Sequence, residues 1–370
     1  MATDEWLLPQ GFVDLLPPFA EHEAATIARF MAFVRTWGYD RIEPPLIEFE
    51  ETLLSGPGAA MRTHTFRVMD PVSHRMMGVR ADITPQIGRM AASRLRHKSR
   101  PLRLSYAGPV LRTRAEQLRS ARQLAQIGAE LIGSSADAAD AEIITLACEA
   151  LSVLGIADVT IDINLPRLVP IALGERLDPS LAAALDRKDR AAIAATQDTL
   201  LGALIATPAA IAEGTAHLRA LSLGEVAEGD IARLETVAAM VQDARPEARL
   251  TLDATDRRGF EYHSGLGFAL FARGVVGELG RGGRYETQAG ETATGFSLYL
   301  DRLVEVLPAP ASERRLFTPA GMPPRFAPAL REEGWITVRG LEPIADPEQE
   351  AKRLGCSHYW LAGSIAAVSS

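Results

Sequence analysis

Gln126 and Glu130 are the two residues of this chain that most suggest chemistry, because they are polar and lie in a segment patterned like a buried strand. On an extended strand, residues i, i+2 and i+4 share one face, and the face that carries these two side chains is otherwise apolar. There Glu130 can accept hydrogen bonds from a ligand ammonium while Gln126 orients another polar group. An internal hydrogen-bond network explains the same pair equally well, since any buried polar group needs partners.

Arg112 lies beside a turn on the preceding predicted strand. Its guanidinium can hold a phosphate or a carboxylate through two parallel hydrogen bonds. A lone arginine in a half-exposed hairpin is more often a surface residue. Whether Arg112 has a binding role therefore depends on the residues around it.

Two glycine-bounded segments, 256–267 (DRRGFEYHSGLG) and 280–286 (GRGGRYE), are predicted to be loops. Glycines in such loops permit positive φ and let the backbone approach a ligand closely. Taken alone, each segment is an ordinary tight turn more often than a binding site. The side chains that could meet a ligand there are Arg258, Glu261, Tyr262, His263 and Tyr285.

The elements that must position these residues follow from hydrophobic periodicity. Spacings of three and four predict amphipathic helices, and alternation between turn-rich stretches predicts strands. Helices are expected at 21–37, from 84 to about 96, and at 137–154 with Asp137 as the cap. Strands are expected at 40–43, 66–69, 75–79, 102–106, 109–114, 122–132, 159–163, 250–253, 268–272 and 276–279.

Composition divides the chain into three predicted domains. Residues 166–249 are alanine-rich and nearly free of aromatics, which predicts a helical insertion into a core made of 1–165 and 250–308. Prolines at 308 and 310 mark a linker. Alternating strand and helix patterns then predict a small α/β domain over 312–370.

The bulk properties disfavour several functions. A net charge of −8 opposes broad attachment to nucleic acid. Asp4 and Glu5 stand where a signal peptide needs a basic start, and no stretch is apolar enough to span a membrane, so a cytoplasmic protein is expected. Cys148 and Cys356 lack metal-type spacing, and no metal or cofactor is expected.

Five stretches, 38–43, 79–85, 106–133, 258–265 and 282–302, resemble the catalytic core of the histidyl-tRNA synthetases. The pairing of RRGFEYHSG with GGRYE is specific to that branch. The resemblance implies an α+β fold of the class II aminoacyl-tRNA synthetase type. It would be an antiparallel sheet of six or seven strands flanked by helices, with a helical insertion and a small C-terminal α/β unit.

The same resemblance implies roles for individual side chains in a histidine pocket. Asp82 and Thr84 would receive the ammonium and main-chain end of the ligand, and Gln126 and Glu130 would complete the ammonium cage. Arg112 would be the phosphate arginine. Arg258 would face the carboxylate, and Tyr262, His263 and Tyr285 would complete the pocket, the last two beside the imidazole.

Departures from the synthetase pattern fall mainly where a nucleotide would bind. Arg112 is followed by Thr113 and Arg114, so the hairpin lacks the acidic residue that helps to hold adenine. Tyr299 stands where the family needs a glycine beside the nucleotide, and should fill the space of adenine. Asp82 and His263 replace the usual Glu and Tyr, and the C-terminal unit is about half the length of an anticodon-binding domain.

Retained histidine-type stretches with a damaged nucleotide site resemble the synthetase-like regulatory subunits of ATP phosphoribosyltransferase. The resemblance implies no catalytic residue and a dimer or higher assembly. It also implies a complex with the short-form catalytic subunit, needed for its activity in the first step of histidine biosynthesis and for feedback control by histidine. Two alternatives stay open: a histidine-activating, adenylate-forming enzyme that uses Arg112, Arg258 and Arg302 on ATP, and a free-standing amino-acid sensor.

Overall fold

A computed structural model describes residues 6–115, 121–257, 263–308 and 313–369 of the chain. The chain forms two compact units, Met1–Pro308 and Ala309–Ser370. The site predicted from the sequence belongs to the first unit. The predicted domain bounds inside that unit stay a prediction.

The first half of unit 1 alternates helices and strands. Its elements are α1 (Phe19–Thr36), β1 (Asp40–Arg41), β2 (Ile47–Phe49), α2 (Glu50–Leu53), a 3-10 helix (Gly56–Met61), β3 (Phe66–Met69), β4 (Met76–Val79), α3 (Thr84–Ala92), β5 (Leu102–Leu111), β6 (Gln123–Ile132), α4 (Asp137–Leu154) and β7 (Val159–Asn164).

Helices then dominate up to the last strands of unit 1. The elements are α5 (Leu168–Leu173), a 3-10 helix (Gly174–Arg176), α6 (Pro179–Asp186), α7 (Arg190–Ala195), α8 (Thr199–Ile205), α9 (Ile211–Ala220), α10 (Glu225–Ala244), β8 (Arg249–Asp253), β9 (His263–Ala272), β10 (Gly280–Glu286), β11 (Thr292–Tyr299) and α11 (Leu300–Val306).

The main sheet of unit 1 has eight strands in the order β1-β5-β6-β11-β10-β9-β7-β8. Neighbours are antiparallel from β5 through to β7, whereas β1 and β8 add to the two edges in parallel. The predicted fold class is confirmed. The count exceeds six or seven because of the parallel edge strands. A parallel neighbour needs a long crossover, and α5 to α10 provide it between β7 and β8.

Alternation along the central strands separates two faces of the sheet. On β6, Ile127, Ala129 and Leu131 point into a large core that also contains residues of α1 and α4. Gln126 and Glu130 belong to the opposite face. That face therefore carries the polar residues of the predicted site.

Residues of the insertion share this large core. Leu204, Leu218 and Leu234 cluster with Ile161 and Ile163 of β7. The insertion helices are thus held by burial against the sheet. Hydrophobic contact also joins Leu252 of β8 to the same cluster.

Two predicted strands, 102–106 and 109–114, form the single strand β5, which ends at Leu111. Pro109 is tolerated because its missing N–H falls on the side away from β6. The neighbouring Leu111 N–H of the same parity donates to the Arg80 carbonyl instead. The predicted break at residues 107–108 was therefore wrong.

The prediction of a loop at 280–286 was also wrong, because this segment is β10, in the middle of the sheet. The predicted strand at 276–279 precedes it as a turn. In 256–267, strand β9 begins at His263. Glycine can mark a turn, but within a strand it also leaves room for other groups to approach the sheet closely, and that is its role here.

Two helix predictions need correction. The helix that begins at Thr84 ends at Ala92, four residues before the predicted end. Ala136 occupies the cap position of α4, and the Asp137 carboxylate instead forms an ion pair with Arg233 at 3.1 Å. An acidic residue in the first turn still suits the helix dipole.

Unit 2 is a small α/β fold. Its sheet has the order β13-β12-β14-β15, and its core includes Leu316, Phe317 and Trp335. The sequence did not predict β15. The elements are β12 (Arg315–Thr318), a 3-10 helix (Pro324–Phe326), α12 (Ala327–Glu332), β13 (Ile336–Arg339), α13 (Pro347–Arg353), β14 (His358–Leu361) and β15 (Ser364–Ala367).

Within the described residues, no helix has the length and apolar character needed to cross a membrane.

Candidate ligand-binding pocket

A cavity of about 430 Å³ opens on the polar face of the main sheet. That size lies in the range of small-molecule sites. Strands β6, β9, β10 and β11 contribute to it, together with the residues before α3. The lining residues are Ala60, Met61, His64, Asp82, Thr84, Arg112, Glu130, His263, Glu278, Arg281, Gly282, Gly283, Tyr285, Gly295, Phe296, Ser297 and Tyr299.

A row of glycines lies beside Glu130 across three strands. Glu130 on β6 is opposite Gly295 on β11, which is opposite Gly283 on β10, which is opposite Gly267 on β9. A Cβ on Gly295 would overlap the Glu130 carboxylate, and a Cβ on Gly283 would lie 2.6 Å from His263 Cδ2. The missing side chains leave room for Glu130 and His263 to lie over the sheet.

Three hydroxyl groups hold the Glu130 carboxylate. Thr84 Oγ1 and Tyr106 OH donate to Oε1 at 3.0 and 3.2 Å, and Tyr285 OH donates to Oε2 at 3.0 Å. The side chain is 1% exposed. Glu130 is therefore fixed in place before any ligand arrives.

Gln126 fixes the second carboxylate of the pocket. Its Nε2 donates to Asp82 Oδ1 at 3.0 Å and to Ser297 Oγ at 2.7 Å, while its Oε1 accepts from the Ile83 N–H at 3.0 Å. Asp82 Oδ1 also accepts from the Thr84 N–H at 2.9 Å. The carboxamide thus lies behind the cavity and positions Asp82 at its wall.

Glu130 is poised to receive a cation. Burial raises its pKa to about 8; the three hydroxyl donors act against this, and the nearby charge of Asp82 raises it further. Within the described part of the chain, no Lys or Arg forms an ion pair with Glu130 or Asp82. A ligand ammonium would supply the charge that this end of the pocket lacks.

The other end of the cavity contains an internally satisfied arginine. Arg112 Nη2 donates to Tyr299 OH at 2.9 Å, and its guanidinium carbon lies 5.2 Å from the centre of the Tyr299 ring. Arg112 is 7% exposed and Tyr299 is 5% exposed. A tyrosine of the chain itself thus occupies the space next to this arginine.

Six of the nine predicted site residues line the cavity: Asp82, Thr84, Arg112, Glu130, His263 and Tyr285. Gln126 supports it from behind. Arg258 and Tyr262 lie outside the described residues. Arg302, considered for ATP phosphates, is not among the lining residues and donates to Glu305 at 3.5 Å.

The sequence interpretation missed Arg281, Glu278, His64 and Ser297 of the lining. Arg281 Nε donates to Glu278 Oε1 at 2.8 Å inside the cavity. The signal was available for Arg281. If 280–286 is treated as a strand, Arg281 shares a face with Gly283 and Tyr285.

No cluster of three or more potential metal ligands occurs among the described residues. The described lining of the cavity offers carboxylates, guanidinium groups, imidazoles and hydroxyls. An ammonium at one end and an anionic group at the other would complement these charges.

Comparisons with known proteins identify the family of the chain. A family model for histidyl-tRNA synthetase matches residues 11–303. The chain is 49% identical to the ATP phosphoribosyltransferase regulatory subunit of Rhodospirillum centenum, over 98% of this chain and 96% of that protein. It is 50% identical to the protein of the same name from Paramagnetospirillum magneticum, over 95% of each.

Solved structures are similar throughout the chain. One is an ATP phosphoribosyltransferase regulatory subunit/histidyl-tRNA synthetase from Bacillus halodurans, with a TM-score of 0.81 and 24% identity over 95% of this chain and 97% of that one. Another is the histidyl-tRNA synthetase of Nostoc, with a TM-score of 0.77 and 19% identity over 97% and 92% of the two chains. At these identities the likeness concerns the fold alone.

Proposed function

The chain belongs to the histidyl-tRNA synthetase family and, within it, to the ATP phosphoribosyltransferase regulatory subunits, and from that premise we propose that it binds histidine without activating it. Its role is regulatory, and the reaction belongs to a catalytic partner. That partner is the short-form catalytic subunit of ATP phosphoribosyltransferase, a glycosyltransferase that performs the first step of histidine biosynthesis. The complex works in the cytoplasm.

The contrast between the two ends of the cavity carries this proposal. The ammonium end is complete, with Asp82 and Glu130 held by Gln126, Thr84 and Tyr285. At the nucleotide end, the Tyr299 hydroxyl accepts a hydrogen bond from Arg112, the arginine that would otherwise bind phosphate. A pocket of this kind can hold an amino acid while lacking room and charge for ATP.

Histidine suits the remaining surfaces of the pocket. Its ammonium would sit between Asp82 and Glu130, and its imidazole would lie against His263 and Tyr285 over the glycine row. The assignments of Arg258 and Tyr262 to the same ligand are part of the proposal.

Histidine binding controls the partner only if the ligand has different affinities for two states of the assembly. A regulatory subunit that holds the pathway's end product provides such a coupling without consuming it. We include in the proposal that the chain self-associates as a dimer or larger assembly, and that this assembly carries the catalytic subunits.

Reconstitution tests the function. The purified chain is added to the short catalytic subunit, and formation of phosphoribosyl-ATP is followed with and without histidine. We expect low activity of the catalytic subunit alone, strong activation by the chain, and inhibition by histidine.

Absence of activation would contradict the regulatory role. A parallel assay follows histidine-dependent exchange of pyrophosphate into ATP by the chain alone. Exchange above background would instead favour the adenylate-forming enzyme.

A further inference from the structure

One segment of unit 1 is strongly basic although the chain as a whole is acidic. Residues 83–115 contain eight Arg and Lys residues and no Asp or Glu, whereas the chain has a net charge of −8. Three of the eight form ion pairs with glutamates outside the segment. Within the described residues, Arg94, Arg96 and Lys98 form no ion pair with a carboxylate, and all three are exposed. The loop after α3 therefore presents a local positive charge.

Arg100 fixes the backbone of this loop. Its Nη1 donates to the carbonyl oxygens of Leu95 and Lys98 at 3.1 and 3.0 Å, and its Nη2 donates to that of Ala91 at 3.2 Å. Two further hydrogen bonds, at 2.6 and 2.7 Å, join Arg100 to separate oxygens of Glu291, which is the strongest arrangement of these two groups. The loop is thus anchored to the chain segment that enters β11.

The loop borders a recess of about 510 Å³, which we call the basic recess. Its charged lining residues are Arg96, Lys98 and the Arg100–Glu291 pair. Its hydroxyl-bearing lining residues are Ser134, Ser135 and Thr292. None of these residues lines the cavity that contains Glu130. The basic recess is therefore separate from the proposed histidine pocket.

A tight turn after β6 forms part of the wall of the basic recess. Gly133 has a φ of +93°, and a Cβ at this position would lie 2.7 Å from Arg100 Cγ and Cδ, so glycine is required for this close approach. The Gly133 N–H donates to the Thr292 carbonyl oxygen at 2.8 Å. Ser134 Oγ accepts from the Ala136 N–H at 3.3 Å, which leaves its hydroxyl proton for a ligand.

The charges and donors of the basic recess suit a phosphate group. Glu291 is neutralised by its paired hydrogen bonds with Arg100, so Arg96 and Lys98 leave an excess of positive charge. Arg96 Nε donates to His97 Nε2 at 2.9 Å, and its two Nη groups are available to a ligand. A phosphate monoester carries close to two negative charges at neutral pH and has three acceptor oxygens. Arginine, lysine and hydroxyl groups all bind such oxygens.

The small extent of the charged area favours a small ligand over nucleic acid. Nucleic acid binding needs cations that follow successive phosphates, and affinity grows with the number of phosphates neutralised. Here Arg96 and Lys98 line one recess of a chain whose net charge is −8. A carboxylate of an acidic protein would bring half the charge of a phosphate and fewer acceptor oxygens.

We propose that the basic recess is a second ligand site, which binds the phosphate or diphosphate group of a small phosphorylated metabolite. Arg96 and Lys98 neutralise the group, and the hydroxyls of Ser134 and Thr292 donate to its oxygens. The inference goes beyond the proposed function and does not depend on it.

Calorimetric titration of the full chain with inorganic pyrophosphate, in EDTA to remove divalent cations, tests the site. We expect saturable binding by the wild type and weaker binding of succinate, a dicarboxylate. Arg96→Gln and Lys98→Gln should each weaken pyrophosphate binding at least fivefold. Arg94→Gln removes the same charge from the same loop outside the lining, and should change the affinity less than twofold. Thermal unfolding checks that each variant is folded, and histidine titration should give the wild-type result.

Three results would overturn the proposal. The first is no saturable pyrophosphate binding by the wild type; if Arg96→Gln then weakened association with the catalytic subunit, the loop would instead be a docking surface for an acidic partner. The second is an equal loss in Arg94→Gln and Arg96→Gln, which would show diffuse attraction to the loop. The third is succinate binding as tight as that of pyrophosphate. A chain that binds pyrophosphate as expected but not histidine would contradict the proposed function alone.

Discussion

The two ends of the pocket differ in how the chain itself satisfies their charged side chains. At the ammonium end, the chain arranges hydroxyls and a carboxamide around Asp82 and Glu130 but supplies no positive charge from the described residues. At the far end, Arg112 meets the hydroxyl of the chain's own Tyr299. A ligand could supply the positive charge at the ammonium end, whereas at the far end a side chain of the chain itself contacts the arginine.

Under the proposed function, this difference explains how a synthetase-type site could lose a reaction while keeping a ligand. Adenylation requires ATP and the amino acid together, so a filled nucleotide end is enough to prevent it. The amino acid end needs no change to its buried network. A sensor can therefore arise from an enzyme through a few substitutions at one end of the pocket.

Removing the Glu130 charge should break the ammonium end. Glu130→Gln keeps the side-chain volume but removes the countercharge for the ligand ammonium, so we expect histidine affinity to fall at least ~100-fold, about 2.7 kcal/mol. Calorimetric titration measures it, with Glu286→Gln, at an exposed end of β10, as control. Affinity within threefold of wild type would contradict the role of Glu130.

Filling the glycine row should damage the same end indirectly. In Gly295→Ala the new methyl group would overlap the Glu130 carboxylate and lie 2.7 Å from the Ala129 carbonyl oxygen. We expect ~30-fold weaker histidine binding and a loss of about 1–3 kcal/mol in unfolding free energy.

Chemical denaturation and titration measure both effects. Gly229→Ala, in α10 where a Cβ meets open space, is the matched control and should gain slightly in stability. Equal behaviour of the two variants would refute the steric role of Gly295.

Removing the Tyr299 side chain should open the far end of the pocket to a ligand, as the ammonium end is. Tyr299→Gly removes the ring and its hydrogen bond to Arg112, so we expect ATP affinity to rise at least ~10-fold from the wild-type level. Tyr299→Phe removes only the hydroxyl and should stay closed to ATP. Fluorescent ATP-analogue titration follows both. No gain in Tyr299→Gly would mean that the ring is not what excludes the nucleotide.

The pH dependence of binding should be the smallest effect. Glu130 has a pKa raised to about 8, and below that pH it must release a proton before it can pair with an ammonium. Affinity should therefore rise with pH, by about fivefold between pH 7 and pH 8. Titration in buffers of different ionisation enthalpy should detect proton release. Affinity that falls over this interval would contradict the sign.

Alternation along β6 made the ammonium end predictable. Gln126 and Glu130 fall on one face at even spacing, and the structure places them on one network with Asp82 and Thr84. The sheet class was predicted from the resemblance of five stretches to the histidyl-tRNA synthetases. Neither inference needed contacts between distant parts of the chain.

Another part of the pocket lining was not predicted, because it lies in glycine-rich sequence. Glycine usually marks turns, so the sequence predicts a loop at 280–286, whereas in the structure these small residues leave space over a central strand. Because that strand was not predicted, the position of Arg281 in the pocket lining was not predicted either. The contact of Arg112 with Tyr299 joins residues 187 positions apart, and local sequence pattern carries no information on such a pair.

Calorimetric titration of the purified chain with L-histidine, followed by ATP in the presence of saturating histidine, tests the difference between the two ends most directly. We predict saturable histidine binding and no heat of ATP binding. Saturable ATP binding to the histidine-loaded chain would contradict a pocket that keeps the amino acid and excludes the nucleotide.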